Sequence, residues 1–443
     1  MTTHNVFHRH TKANMPTAVS GEGPYITDQN GKRYIDASSG AAVSCLGHNN
    51  QVVIDAIKHQ LDCIPYAHSS FFTSDPMEQL GTYLCDRAPA GISRAYFVSG
   101  GSEAMEAGLK MARQYFLERG ESQRRIFISR RQSYHGNTLG ALAVGGNQWR
   151  RKQFRPLLME SHHVSPCYPY RDKSDDETLE QYGLRTANEL EQKLLEVGPE
   201  NVIAFVAEPV VGATLGAVAP VPGYFSRIRQ ICDEYGILLL LDEVMCGMGR
   251  TGTMFACEQD GVRPDLIAVA KGLAAGYQPI GALLVQNAIF NQIQEGSGFF
   301  QHGHTFMGHA TACAAAIATQ NYIEQQNLLK NVSARGDELI QALQSRFENH
   351  PHIGDVRGRG LFIGVEIVED RASKKPFDSS KPLHTLIKST AMEHGLLCYP
   401  MSGTIDGQNG HHVLIAPPYI INSNHVDEIT EKLAASINAA LQL

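Results

Sequence analysis

The stretch ILLLLDEVMCGMGRTG at 237–252, with DLIAVAKGLAAG at 265–276 behind it, decides the fold. The run Ile237–Leu241 is apolar at every position, as a strand covered on both faces must be, whereas a half-exposed strand alternates. The run breaks at the ionisable pair Asp242–Glu243, and Leu266–Ala270 breaks in the same way at Lys271. Working outward, further short β-rich runs occur at Tyr96–Val98, Ile126–Ile128, Val202–Ala207 and Ala282–Val285. Amphipathic stretches such as Glu103–Glu118 and Tyr224–Tyr235 separate several of them. Alternation of this kind predicts parallel strands joined by helical crossovers.

Past about residue 320 the pattern changes. Two long helical stretches, Ala310–Gln326 and Leu329–Phe347, precede the strand-like Leu361–Ile367 and Val413–Ala416 and a closing helix near His425–Leu441. Near the start, Pro24–Ile26 and Tyr34–Ile35 flank the turn residues Asp28–Gly31 and read as a hairpin that either lobe can accept. The fold class expected is α/β: a large domain with a mainly parallel central sheet flanked by helices, plus a smaller α+β domain. The division expected is 1–60 as an N-terminal segment joining the small domain, 61–324 as the large domain and 325–443 as the C-terminal small domain.

Composition bounds the partners. Of 443 residues 43% are apolar and 19% charged, as in folded globular proteins. The net charge of −7 and the scattered basic residues argue against a nucleic-acid backbone as partner. No apolar run reaches the roughly 18–20 residues of a membrane span, and the first residues lack the hydrophobic core of a signal peptide. A cytoplasmic location is expected. The nine cysteines form no CxxC pair and read as reduced thiols. His302, His304 and His309 lack the carboxylates a metal site would add, so no metal is expected. His162–His163 and His411–His412 read as loop or rim residues.

In open α/β sheets ligands sit outside the carboxyl ends of the strands, where this chain repeatedly places chemistry. Ser99–Ser102 (SGGS) opens a helix whose free N–H groups suit a phosphate. Asp242 ends a buried strand and needs a cation or a protonated ring nitrogen as partner, the more ordinary readings being a helix N-cap or a salt bridge to a residue such as Arg250. Lys271, with glycines at 272, 276 and 281, is placed to be desolvated and to form a Schiff base, although a structural lysine fits the pattern too. Glu208 adds a second buried acid, and Tyr134 an aromatic plate. One ligand accounts for all of them: a phosphorylated pyridine aldehyde, held by lysine at the aldehyde, by Asp242 at the ring nitrogen, by SGGS at the phosphate and by Tyr134 on a ring face.

At these residues the chain resembles the class III, fold type I aminotransferases that depend on pyridoxal 5′-phosphate. The resemblance runs from about Gly23 to the C-terminus and is carried by SGGSEA (99–104), SYHG (133–136), AEPVVG (207–212), LLLDEVMCGMGRTG (239–252), DLIAVAKGL (265–273), HGHTFMGHATACAAA (302–316) and VRGRGLFIGVE (356–366). It implies Lys271 as the Schiff-base lysine, Asp242 as the partner of the pyridine nitrogen and Tyr134 as the stacked ring, these three being the catalytic candidates. It further implies Gly101 and Ser102 at the phosphate, Val244 on the opposite ring face, Glu208 beneath the cofactor, and Thr305 as a phosphate ligand lent by a neighbouring subunit. That last residue implies a homodimer with shared sites, with a tetramer built from two such dimers as the alternative assembly.

Met245 stands where ornithine-type and 4-aminobutyrate-type members carry glutamine, and the wording DEVMCGMGRTG is closer to the omega-amino, amine:pyruvate branch. Transfer of an amino group from an omega-amino acid or amine to a keto acid is therefore expected. A lyase on the same fold, and a non-catalytic nucleotide-binding protein using SGGS, are the alternatives. Omega-amino members that this chain resembles often use a mobile arginine shortly before the C-terminal PP segment to bind a second carboxylate, but residues 401–416 here contain neither Arg nor Lys. The resemblance therefore implies pyruvate, or another keto acid with one carboxylate, over 2-oxoglutarate as acceptor, with His411, His412 or Arg171 as substitutes for that cation and Tyr66–Phe72 as a wall of a small pocket.

Overall fold

The computed structural model describes residues Asn5 to Gln442. Its centre is a seven-stranded sheet in the order Ile92–Val98, Gly281–Gln286, Leu266–Val269, Leu238–Asp242, Val202–Ala207, Ile126–Arg130 and Ser161–Val164. Neighbouring strands run parallel except Gly281–Gln286, which is antiparallel to both of its partners. One antiparallel strand among seven agrees with the mainly parallel sheet expected; which strand it is leaves no mark in the sequence, because a buried strand is apolar in either direction.

The run of leucines is shared between two cores. Leu239 and Leu241 pack with Ile228, Ile231 and Phe205 on one face, while Leu238 and Leu240 pack with Met105, Leu109 and Ala204 on the other. The helix Gly101–Glu118 supplies the second face, and its Gly108 lets the backbone come close, since a Cβ there would lie 3.1–3.2 Å from Leu283 and Leu240. Burying each such leucine stabilises the fold by roughly 1.5–3 kcal/mol.

A four-stranded antiparallel sheet follows, in the order Ile353–Arg359, Phe362–Ile367, His411–Ile415 and Tyr399–Ser402. His411 and His412 thus lie buried in a strand, and His162 and His163 in the edge strand of the large sheet, not in loops. The N-terminal strands Ala18–Glu22, Tyr25–Asp28 and Arg33–Asp36 form a third sheet closed by Leu396–Leu397, which pairs in parallel with Ile35 and Asp36. Ile35, Leu46 and Val53 share one core with Leu383, Leu396 and Ile437. Among the described residues no helix is long and apolar enough to cross a membrane.

A buried charge cluster fastens the antiparallel sheet to the segment after the strand Ser161–Val164. Glu366 accepts from Arg171 (2.6 Å), Arg357 (2.7 Å) and the Tyr168 hydroxyl. Although burial opposes ionisation, the two guanidiniums hold its carboxyl below the usual range. Stability from this group is therefore present above the unfolded carboxyl value of about 4.3 and lost as pH falls through the lower folded value. Glu366→Gln, which strands two partly buried cations, should cost about 3–5 kcal/mol in chemical denaturation at pH 7. A change below about 1 kcal/mol would remove the cluster from the interactions that hold these parts together.

Candidate active site

A cavity of about 540 Å³ opens at the carboxyl ends of the parallel strands. Of the residues singled out from sequence, Gly101, Ser102, Tyr134, Glu208, Asp242, Val244 and Lys271 all line it. Thr305 does not. It lies in an exposed turn, where its carbonyl accepts the Tyr66 hydroxyl at 2.9 Å.

Asp242 is fixed from two sides. Oδ1 accepts the Val244 N–H at 3.0 Å, and Nδ1 of the buried His135 lies 2.8 Å from Oδ2, the geometry of a ring N–H donated to a carboxylate. Arg250, the ordinary partner considered for Asp242, instead donates to the Leu361 and Pro417 carbonyls and stacks 4.6 Å from the Tyr419 ring centroid. The adjoining Glu243 points away and accepts from the Ala256 (2.6 Å) and Cys257 (2.9 Å) N–H groups, pinning the following loop while burial raises its pKa to about 7.

Lys271 follows Leu266–Val269 with φ +47°, a conformation uncommon for a side-chain-bearing residue. Its amino group has no hydrogen bond or ion pair among the described residues. Burial lowers its pKa to about 8, against the pull of Asp242 and Glu208. Glu208 accepts the Tyr134 N–H (3.1 Å) and the Gly212 N–H (3.0 Å), and burial raises its pKa. An uncommitted lysine near neutrality, two carboxylates and an aromatic ring thus face one space.

The opposite wall is a cradle made by missing side chains. A Cβ on Gly101 would stand 2.6 Å from Val244 Cγ1, so only glycine lets the start of the helix Gly101–Glu118 meet Val244. Gly136, at φ +132°, would meet Ser102 in the same way, and Ser102 Oγ accepts the Asn137 N–H at 3.1 Å. A helix N-terminus with its first N–H groups free is suited to a phosphate. A lysine, a hydrogen-bonded carboxylate, an aromatic ring and a glycine-lined helix start around one cavity are groups that fit pyridoxal phosphate.

Several lining residues escaped the sequence reading. His135 stood inside SYHG, but its carboxylate partner is 107 residues away. Arg150 and Arg9 also line the cavity, as does Tyr399. The substitutes proposed for a missing substrate cation lie elsewhere. Arg171 is committed to Glu366 and the Lys374 carbonyl. His412 is held by Thr404 (2.7 Å) and the Ala213 carbonyl (3.1 Å), and burial lowers its pKa to about 3 and that of His411 to about 4. Both are uncharged at neutral pH. The Tyr66–Phe72 segment lines a different cavity, with Met307 and Ala310.

The family model "Aminotransferase class-III" matches residues 7–437. An uncharacterised aminotransferase of Schizosaccharomyces pombe is 45% identical over 427 residues, covering 96% of this chain and 93% of that one. A putrescine–pyruvate aminotransferase of Pseudomonas aeruginosa is 32% identical over 412 residues, covering 93% and 88%. Among solved structures, the omega transaminase of Pseudomonas jessenii in complex with PMP superimposes with a TM-score of 0.92 at 33% identity, covering 98% and 97%. With lysine, buried carboxylate and glycine cradle converging as they do, the chain belongs to the class III aminotransferases, and its cofactor is pyridoxal 5′-phosphate.

Proposed function

We propose that this aminotransferase moves an amino group from an omega-amino acid or amine to pyruvate, with Lys271, Asp242 and Tyr134 as its catalytic residues. The observation that carries the reading is that the uncommitted Lys271 lines the same cavity as the His135-bound Asp242. When bound, the cofactor supplies the electron sink that lets the substrate carbon lose a proton.

The protein's own groups do the rest. Asp242, oriented by His135 and the Val244 N–H, keeps a proton on the ring nitrogen. Gly101 and Ser102 would hold the phosphate, and Tyr134, Val244 and Glu208, which line the same cavity, would contact the ring. Nζ of Lys271, with a pKa of about 8, gives up and accepts a proton readily near neutral pH, as a base that shuttles one must. Pyruvate is favoured because residues 401–416 offer no cation for a second carboxylate, and because the similar Pseudomonas aeruginosa protein is named for it.

We place the chain in the cytoplasm, since its nine cysteines are all free, and read it as a homodimer with shared sites. The Thr305 turn and the exposed Phe71 (79%), Phe72 (69%) and Phe306 (58%) support that dimer. Isolated chains rarely leave such rings uncovered together.

Three measurements test this. An amino donor supplied without any keto acid should convert one equivalent per site and stop, whereas repeated turnover would favour the lyase alternative. Asp242→Asn should slow the chemical step roughly 10²-fold or more with a small shift in thermal midpoint, because the charge that holds the ring proton is removed. An unchanged rate would place Asp242 outside the chemistry. Sedimentation of the cofactor-loaded protein should give a dimer or a multiple of it, and a monomer that retains cofactor would contradict shared sites.

A further inference from the structure

We propose that Arg150 binds the carboxylate of the keto acid and amino acid substrates, in place of a cation from the 401–416 segment; the inference rests on the aminotransferase reading above. A carboxylate entering this cavity meets Glu208 and Asp242, two groups of its own charge, so it needs a cation already in the wall. Lys271 is committed to the cofactor, and Arg171, His411 and His412 are paired or uncharged. Arg150 and Arg9 remain as the other cations that line the cavity. Arg9 is exposed, on the N-terminal segment, whereas Arg150 is half-buried.

Arg150 is also built into place. Its guanidinium lies 4.5 Å from the centroid of the Tyr134 ring, which faces the cavity, and has no carboxylate partner among the described residues. Its backbone N–H is accepted by the Asn147 side chain at 3.2 Å, and Asn147 in turn donates to Gln132 at 2.8 Å. Gln132 donates to the Gly403 carbonyl at 2.9 Å. The loop closes on the same turn at Gly407, where a Cβ would lie 3.1 Å from the Trp149 nitrogen. The segment that carries no cation is thus the one that clamps the short helix Gln148–Arg151, and the cation comes from that helix instead. A guanidinium held over an aromatic ring keeps its N–H groups free, and its planar fork can pair with a carboxylate through two hydrogen bonds.

The test compares substrates with and without a carboxylate in the cofactor-loaded enzyme. With 1-phenylethylamine as donor, Arg150→Gln should raise KM for pyruvate about 10–100-fold, the range expected when a charge-assisted pair is lost. KM for benzaldehyde as acceptor should move less than about threefold. Arg150→Lys, which keeps the charge but not the fork, should fall between. Cofactor affinity, read by absorbance titration of the cofactor-free protein, should stay within about threefold. An unchanged KM for pyruvate would overturn the proposal, as would an equal loss with benzaldehyde, which would make Arg150 a support for Tyr134. A loss of cofactor affinity would also overturn it, by placing Arg150 at the phosphate. A wild-type enzyme that transfers no amino group from any donor would remove the activity on which the proposal rests.

Discussion

The site depends on keeping one carboxylate, that of Asp242, at the end of a strand otherwise made of leucine. A buried carboxylate without partners costs several kcal/mol, and here the cost is offset by the Val244 N–H and the His135 ring. The strand can place it there only because both its faces are covered, by Leu239 and Leu241 on one side and Leu238 and Leu240 on the other. Two packed layers of helix therefore stand behind a single hydrogen-bonded charge. Glu243, tied to the Ala256 and Cys257 N–H groups, fixes the chain as it leaves the strand, so that Asp242 faces the cavity and its neighbour faces the protein.

From that carboxylate the charges of the cavity separate into two groups. Glu208, Asp242 and Lys271 gather at the ends of the parallel strands, where burial brings the lysine and Glu208 nearer to neutral pH from opposite sides. Arg150 and Arg9 stand on other walls, contributed by a short helix and by the N-terminal segment. The histidines of the antiparallel sheet are driven to the uncharged form and serve packing, with His412 locked between Thr404 and Ala213. Acid–base chemistry and substrate charge recognition thus draw on different parts of the fold.

Much of this was legible in the sequence because the strands of a doubly covered sheet are written as unbroken apolar runs. Val202–Ala207 and the leucine run could be read almost to the residue, and the ionisable residues that end them marked the site. What escaped has physical reasons. Ser161–Val164 is an edge strand with two histidines, and Ile353–Arg359 carries arginines that pair with Glu366 and Asp260, so neither has an apolar run to read. The reversed direction of Gly281–Gln286 leaves no mark in composition. His135 and Arg150 gain their meaning from partners and walls distant in sequence or contributed by other elements. Thr305 matched by resemblance, yet it lies away from its own chain's cavity, in an exposed turn.

The central claim is that Lys271, and no other lysine, holds the cofactor opposite Asp242. The direct measurement is reduction of the cofactor-loaded protein with borohydride, followed by proteolysis and mass mapping of the peptides. The account predicts one phosphopyridoxyl group per chain, on the peptide that contains Lys271. A label on any other lysine, or a protein that reduces without retaining the cofactor, would contradict it.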